Sequence, residues 1–404
     1  MMIPPALRHR PFAVYWMGIL ISLSGHFLAL VVRGWLVNEL THSSVWLGGV
    51  YAMVGLPQLV LGPLAGALID RVDRRKVLFV TQMLQGCNAL ALGLTVMLGV
   101  VSPALLLLFA ALSGTIGTFD WTVRLAIVPN LVPAASLDSA IGLSTTARIV
   151  AGVAGPALAG SLLARIGAAN CFFVTAAGFI PSVLIAYRMS PTLTVRRRKE
   201  ETWVQSALDG FGYIVRNRLL WAVIVLEAVP VVLGLPFTTL FPILAEQAAR
   251  AGFGVKETAL GFLHGTLGAG AIVGAVLAST GARKIARGKA LLVSTSLFGF
   301  GLIGFAAAKP FAVSLAWLLA VGVIESMYAT LSATLVQRIT EDSYRGRVMS
   351  LYNMIWGLTP IGGLSMGLGA KAVGPAAAIA LHGTVIVLVV LALAAAIPKL
   401  RRVQ

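Results

Sequence analysis

The chain has 404 residues, of which 58% are hydrophobic and only 11% charged, with a formal net charge of +17. A soluble domain carries about a quarter charged residues, so this composition excludes an ordinary soluble globular protein. It fits a polytopic membrane protein whose apolar stretches of about 20 residues cross the hydrocarbon as helices.

Twelve apolar runs follow one another, at about residues 12–37, 45–69, 77–99, 102–128, 137–164, 170–188, 219–245, 257–280, 289–308, 310–337, 347–370 and 374–397. The leading MMIPPALRHR has no small-residue cleavage site behind it, so the first run reads as a retained span and not as a signal peptide. Cys87 and Cys171, both inside apolar runs, are too few for a disulfide framework or a metal site and read as packing residues. Runs six and seven are joined by the longest polar stretch, which opens SPTLTVRRRKEE. Further along it, Trp203, Ala207, Phe211 and Ile214 recur at helical spacing, which predicts an amphipathic interfacial helix. The expected organisation is an N-terminal six-helix bundle over 1–189, a cytoplasmic linker over 190–218 and a C-terminal six-helix bundle over 219–404.

The basic residues are sorted by connection. Of the 31 Lys and Arg, 23 fall in the two tails and in the connections after the even-numbered runs, for example Arg71, Arg74, Arg75 and Lys76 after run two. The opposite side holds five: Arg165, Arg250, Lys256, Lys309 and Lys371. The positive-inside bias therefore predicts an even number of spans with both termini cytoplasmic. The net charge is topological, and no nucleic-acid partner is needed to account for it.

The two halves echo one another. HRPFAVYW opens run one and NRLLWAVI opens run seven, and Gly62 and Gly66 in LGPLAGALIDRVDRRK share their spacing with Gly270 and Gly274 in GAGAIVGAVLASTGARK. IVPNLVPAASLDSAIGLSTTARIVAGVAGP has a counterpart in VQRITEDSYRGRVMSLYNMIWGLTP, and three matches in the same order predict a duplicated bundle. Glycine is concentrated in runs two, five, eight and eleven, where small residues at four-residue spacing let helix backbones approach in lipid.

The stretch GALIDRVDRRK after run two resembles the G-x-L-(A)-D-R-x-G-R-(R/K) signature of major facilitator superfamily transporters, with Asp73 where the general signature has glycine. That departure, with TFDWTVRLAIVPNLVP in run four, THSSVWLG after run one and the pair Gly155-Pro156, is similar to the branch of enterobactin exporters and macrolide efflux proteins. The resemblance covers the whole chain. It implies an all-α membrane fold of twelve transmembrane helices in two pseudo-symmetric six-helix bundles, working by alternating access, with runs two, five, eight and eleven between the halves.

Ionisable groups inside spans are expensive and are functional candidates by default. Asp120 and Arg124 are four residues apart and can pair along one helix face. The resemblance implies that Asp70, Arg74 and Asp120, with Arg124, form a conformational latch at the cytoplasmic end of run eleven, where a carboxylate meets the positive end of a helix dipole. His26 stands where many relatives carry an acid, and imidazole suits reversible proton binding. A hydrogen-bonded core histidine is the alternative. Glu227 and Glu325 are the carboxylates clearly inside second-half spans, where low dielectric disfavours a charged carboxylate, the property a proton carrier needs. Glu227 comes first for coupling because family cavities are lined by runs one, four, seven and ten. A neutral packing role remains open for both acids. Arg33, seven residues from His26, is a candidate for an anionic substrate group or for snorkelling. Arg148 is a candidate counter-ion, and Gln58, Tyr328, Asn353 and Trp356 add polar and aromatic lining to the substrate cavity.

No phosphate loop, metal cluster or nucleophile triad is found, and GLGAKAV lacks the strand context of a nucleotide loop. The expectation is a monomeric transporter without cofactor, not an enzyme, in the bacterial inner membrane. Its partners are the lipid bilayer, protons and a lipophilic or amphipathic small molecule such as a drug, macrolide or siderophore. A lipid flippase or uncoupled facilitator is the alternative within transport, and a membrane scaffold or channel subunit the alternative of another class.

Overall fold

The computed structural model describes residues 4–69, 72–189, 203–281 and 286–402, which are helical with no strand among them. The helices are α1 (Arg10–Thr41), α2 (Ser44–Ile69), α3 (Arg74–Met97), α4 (Pro103–Ile127), α5 (Leu137–Arg188), α6 (Trp203–Arg216), α7 (Arg218–Val229), α8 (Phe241–Arg250), α9 (Lys256–Gly281), α10 (Arg287–Ala307), α11 (Phe311–Ile339), α12 (Asp342–Met354), α13 (Thr359–Val373) and α14 (Pro375–Ala396). Among the described residues, ten helices are long and apolar enough to cross a membrane.

Two features separate that ten from the twelve apolar runs. Helix α5 spans runs five and six and is broken at Gly167, whose φ of 76° and ψ of 171° are open to glycine and costly for other residues. Its first part runs with α1, Trp16 Nε1 donating to the Leu143 carbonyl at 2.8 Å and Gly155 lying against Ser24. Its second part runs against α1, since Gly18 accepts from Ser182 Oγ at 2.7 Å and Gly25 from Thr175 Oγ1 at 3.3 Å. The chain therefore turns back at Gly167, and α5 is two spans. Run eleven is divided by a 3-10 stretch at Ile355–Leu358 ahead of Pro360, which leaves α12 and α13 each too short to qualify alone.

Run seven is also irregular, where the sequence reads as one span. Pro230, Pro236 and Pro242 each remove a backbone donor. The chain answers with a π-helical turn at Pro230–Gly234 and a 3-10 stretch at Leu235–Leu240 before α8. His382 Nδ1 on α14 donates to the Leu233 carbonyl at 2.9 Å and so satisfies one acceptor of the irregular stretch.

The chain divides into two compact units, Met1–Thr41 with Met53–Lys199, and His42–Ala52 with Glu200–Gln404. In the first, α5 packs on α1 and α3, and α3 on α4. In the second, α9 packs on α11, and α10 on α14 and α11.

The glycine-rich runs make close backbone contacts, among them Gly48 of run two against the Gly363 carbonyl of run eleven and Gly367 of run eleven against the Ser44 carbonyl. Gly270 and Gly274 of α9 lie against the carbonyls of Leu319 and Val323 on α11, and Gly155 lies against α1. A Cβ on Gly62, Gly66 or Gly142 would meet nothing within 4 Å. Gly274→Ala is expected to lower the thermal midpoint in detergent, because its Cβ would meet the backbone of Val323. Gly142→Ala is expected to raise it, since Ala is favoured over Gly by about 1 kcal/mol in a helix interior.

Candidate functional site

Two polar constellations are built, one in each unit. In the first, Arg124 Nε on α4 donates to Asp120 Oδ2 at 2.6 Å. Asp120 Oδ1 accepts from Thr81 Oγ1 at 3.0 Å and from Gln82 Nε2, both on α3. Arg124 Nη2 donates to Ser22 Oγ on α1 at 2.9 Å, and Tyr15 donates its hydroxyl hydrogen to the Arg124 carbonyl at 3.2 Å. Three helices are thus tied through one ion pair whose partners are satisfied, the condition under which a buried pair is tolerated. His26, one turn beyond Ser22, is partly buried and feels the charges of Arg33, Asp120 and Arg124.

Asp120, a member of the latch that the resemblance implies, is held among α1, α3 and α4. Arg74 donates to the Ala126 carbonyl at 2.9 Å and to Asn130 Oδ1 at 3.1 Å, so these bonds fasten α3 to the end of α4. Asp70 lies outside the described residues. Asp73 is the N-cap of α3 and accepts from the Arg75 backbone N–H at 2.9 Å. The Arg75 side chain donates to the carbonyls of Ala186, at 3.1 Å, and Tyr187. It thereby places a cation on the last turn of α5, as the helix dipole favours.

Other first-unit candidates are scattered. Arg33 is 3% exposed, which rules out a snorkelling side chain. The Arg148 guanidinium stands over the Trp121 ring, 5.8 Å from its centroid. Gln58 is exposed, as is Cys87, while Cys171 is buried.

The second constellation gathers on α7, α11 and α12. Glu227 is 0% exposed, and both of its carboxyl oxygens lack a hydrogen-bond partner. The hydroxyls of Ser332 and Tyr352 face it as hydrogen-bonding neighbours and the carboxyl of Glu325 acts on it through its charge, although neither hydroxyl meets its oxygens with normal hydrogen-bond geometry. Glu325, Tyr328 and Ser332 recur at i, i+3 and i+7 on α11 and share one face. Tyr328 is buried, feels the charges of Glu227 and Glu325, and packs its ring 5.2 Å from that of Phe298. Glu325 is partly buried, Asn353 is exposed and Trp356 is partly buried. His264, on α9, packs edge-on against Phe241 with centroids 4.8 Å apart. Among the described residues no group of three or more His, Cys, Asp or Glu could hold a metal ion.

A family of major facilitator proteins, MFS_3, described as transmembrane secretion effectors, matches residues 3–404. The chain belongs to this family. It is 23% identical over 353 residues to the staphyloferrin A transporter of Staphylococcus aureus, covering 87% of each chain. It is 24% identical over 386 residues to macrolide efflux protein A of Streptococcus pyogenes, covering 93% of each. With the enterobactin exporter EntS of Escherichia coli O1:K1 it shares 25% identity over 350 residues, 85% of this chain and 81% of that one. Among solved structures, a mutant of the nucleoside transporter NupG superposes with a TM-score of 0.79 at 13% identity, over 96% of this chain and 99% of that one. A bacterial homologue of the lysosomal transporter Spinster gives 0.73 at 16% identity, over 99% and 97%. These two likenesses establish the major facilitator fold. As a member of the family, the chain is a multi-pass membrane transporter and not an enzyme.

Ser332 and Tyr352 escaped the sequence reading, as did Ser22, Thr81 and Gln82. For Ser332 a signal existed, its i+7 spacing from Glu325. For the others the partner is on another helix, and nothing in one run announces it. Asp120→Ala is expected to cost about 3–5 kcal/mol, because it leaves Arg124 buried without its counter-charge. Replacing both Asp120 and Arg124 by Leu is expected to cost less. Thermal unfolding of the purified variants measures both.

Proposed function

We propose that this family member is a proton-driven exporter of lipophilic or amphipathic small molecules, of the drug, macrolide or siderophore kind, in a bacterial inner membrane. The observation that carries the coupling is Glu227, fully buried with both carboxyl oxygens unpartnered. Burying an isolated ionised carboxylate costs far more than burying the neutral acid. A proton delivered to Glu227 is therefore held, and its release has to await a change in surroundings. Glu325, which acts on Glu227 through its charge, is the second member of the pair. The π-helical turn three residues beyond Glu227 supports the reading, since such irregularities concentrate at functional sites and give a span somewhere to bend.

Export as the direction is supported by relatives named as an exporter and as an efflux protein. His26 is kept as a proton candidate in the first unit, beside the Asp120–Arg124 pair. The predominance of Lys and Arg in the tails and even-to-odd connections favours both termini on the cytoplasmic side.

In proteoliposomes with an imposed pH gradient, wild type is expected to move a macrolide or siderophore against its own gradient. Glu227→Gln is expected to keep substrate exchange between equal pools while losing the response to the pH gradient. His26→Ala in the same assay reports whether the histidine shares the proton. Full gradient response in both variants would overturn the assignment of coupling to these residues.

A further inference from the structure

Helix α12 does not run straight into α13, because the 3-10 stretch Ile355–Leu358 divides them. How α12 sits about its own axis therefore depends on what packs against it. Among the described residues that is chiefly α6, with a slighter contact to α11.

The contact between α6 and α12 is built from specific groups. The Tyr213 ring of α6 stacks on Tyr344 with centroids 4.3 Å apart and planes 13° apart. The Tyr213 hydroxyl accepts from the backbone N–H of Glu341, the N-cap of α12, at 3.3 Å. The Arg347 guanidinium stands over the Tyr344 ring, 5.7 Å from its centroid. Gly210 keeps the two helices close, since a Cβ there would meet Arg347 and Leu351 at 3.1 Å. Ile214, one turn from Gly210, is buried, while Phe211 is exposed. Trp203, Ala207, Phe211 and Ile214 therefore do not act as one stripe, as their spacing suggests.

On α12, Tyr344, Arg347 and Leu351 recur at i, i+3 and i+7 and so share the face turned to α6. Tyr352 lies about 100° further round and about 12 Å along the axis from Tyr344. It is 5% exposed, and its hydroxyl faces the Glu227 carboxyl of α7 beside Ser332 of α11. Helix α6 is braced at its other end as well. Asn217 ends it and caps α7, its Oδ1 accepting from the backbone N–H of Leu219 at 3.2 Å and of Leu220 at 3.1 Å. Helices α7, α6 and α12 thus close a triangle, with the Glu227–Tyr352 contact as one corner and the tyrosine stack as another. A roll of α12 about its axis breaks the stack and carries Tyr352 away from Glu227.

We propose that Tyr213 is a positioning residue for proton coupling: stacked on Tyr344, it fixes the roll of α12 and so holds the Tyr352 hydroxyl against Glu227. The proposal rests on the reading of Glu227 as the coupling acid.

The test is infrared spectroscopy of the purified full-length protein in acid, with the carbonyl stretch of the Glu227 carboxyl isolated by difference against Glu227→Gln. Tyr352→Phe is expected to move this band to higher frequency, because a hydroxyl no longer donates to the carboxyl. Tyr213→Ala is expected to move it as far, and the double variant no further, since both changes remove one contact. Tyr213→Phe keeps the ring stack and is expected to keep the wild-type band. Should Tyr213→Ala not fold, Gly210→Val, which pushes α6 off Arg347 and Leu351, takes its place with the same expectation. A wild-type band in Tyr213→Ala or Gly210→Val, or additive shifts in the double variant, would overturn the proposal. In proteoliposomes with an imposed pH gradient and erythromycin as probe, gradient-driven transport by Tyr213→Ala, relative to exchange between equal pools, is expected to fall about tenfold, the effect of one hydrogen bond to a charged group. A shifted band with full gradient response in both Tyr213→Ala and Glu227→Gln would overturn the coupling reading beneath the proposal.

Discussion

In hydrocarbon every backbone donor and acceptor has to find its partner inside the protein, because no water is there to take its place. Run seven shows how far this chain departs from a straight helix while still meeting that demand. Three prolines delete three donors, and the chain moves through a π-helical turn and a 3-10 stretch to keep the remaining groups engaged. Thr238 and Thr239 return their hydroxyls to the carbonyls of Leu235 and Pro236, at 3.0 and 2.7 Å. His382 reaches across from α14 to Leu233. A histidine in an otherwise apolar helix is thus explained by the irregularity of its neighbour.

The two constellations treat buried charge in opposite ways. Around Asp120 the carboxylate has a guanidinium, a hydroxyl and an amide, and the guanidinium has a further hydroxyl. Such a network holds one arrangement of α1, α3 and α4 and resists change. Around Glu227 the hydroxyls of Ser332 and Tyr352 face the carboxyl without completing bonds of normal geometry to it. An incomplete set of bonds is costly to keep as it stands.

Much of the fold is legible in the sequence because lipid imposes long apolar runs and a charge bias between faces, and both are written residue by residue. The helix at 203–216 is visible for a similar reason, since spacing alone reveals an amphipathic segment. Breaks inside runs are harder to read. Pro156 and Pro181 sit within helical α5, whereas Pro230, Pro236 and Pro242 together disrupt run seven. The same residue type gives either outcome according to whether neighbouring helices supply partners. The site is half legible on the same logic. Glu227 and Glu325 stand out because a carboxylate is rare in a span. Ser332 and Tyr352 do not, because hydroxyls are common in spans and matter only through what they face. Asp73 and Arg75 look like parts of a charge cluster, and their capping roles depend on helix ends that the charges themselves do not reveal.

Gly167 gives its two spans a turn of a single residue. No loop separates them, so the two legs of α5 form a closed hairpin in the folded protein. That end of the hairpin offers no slack chain for a protease or an antibody to grip.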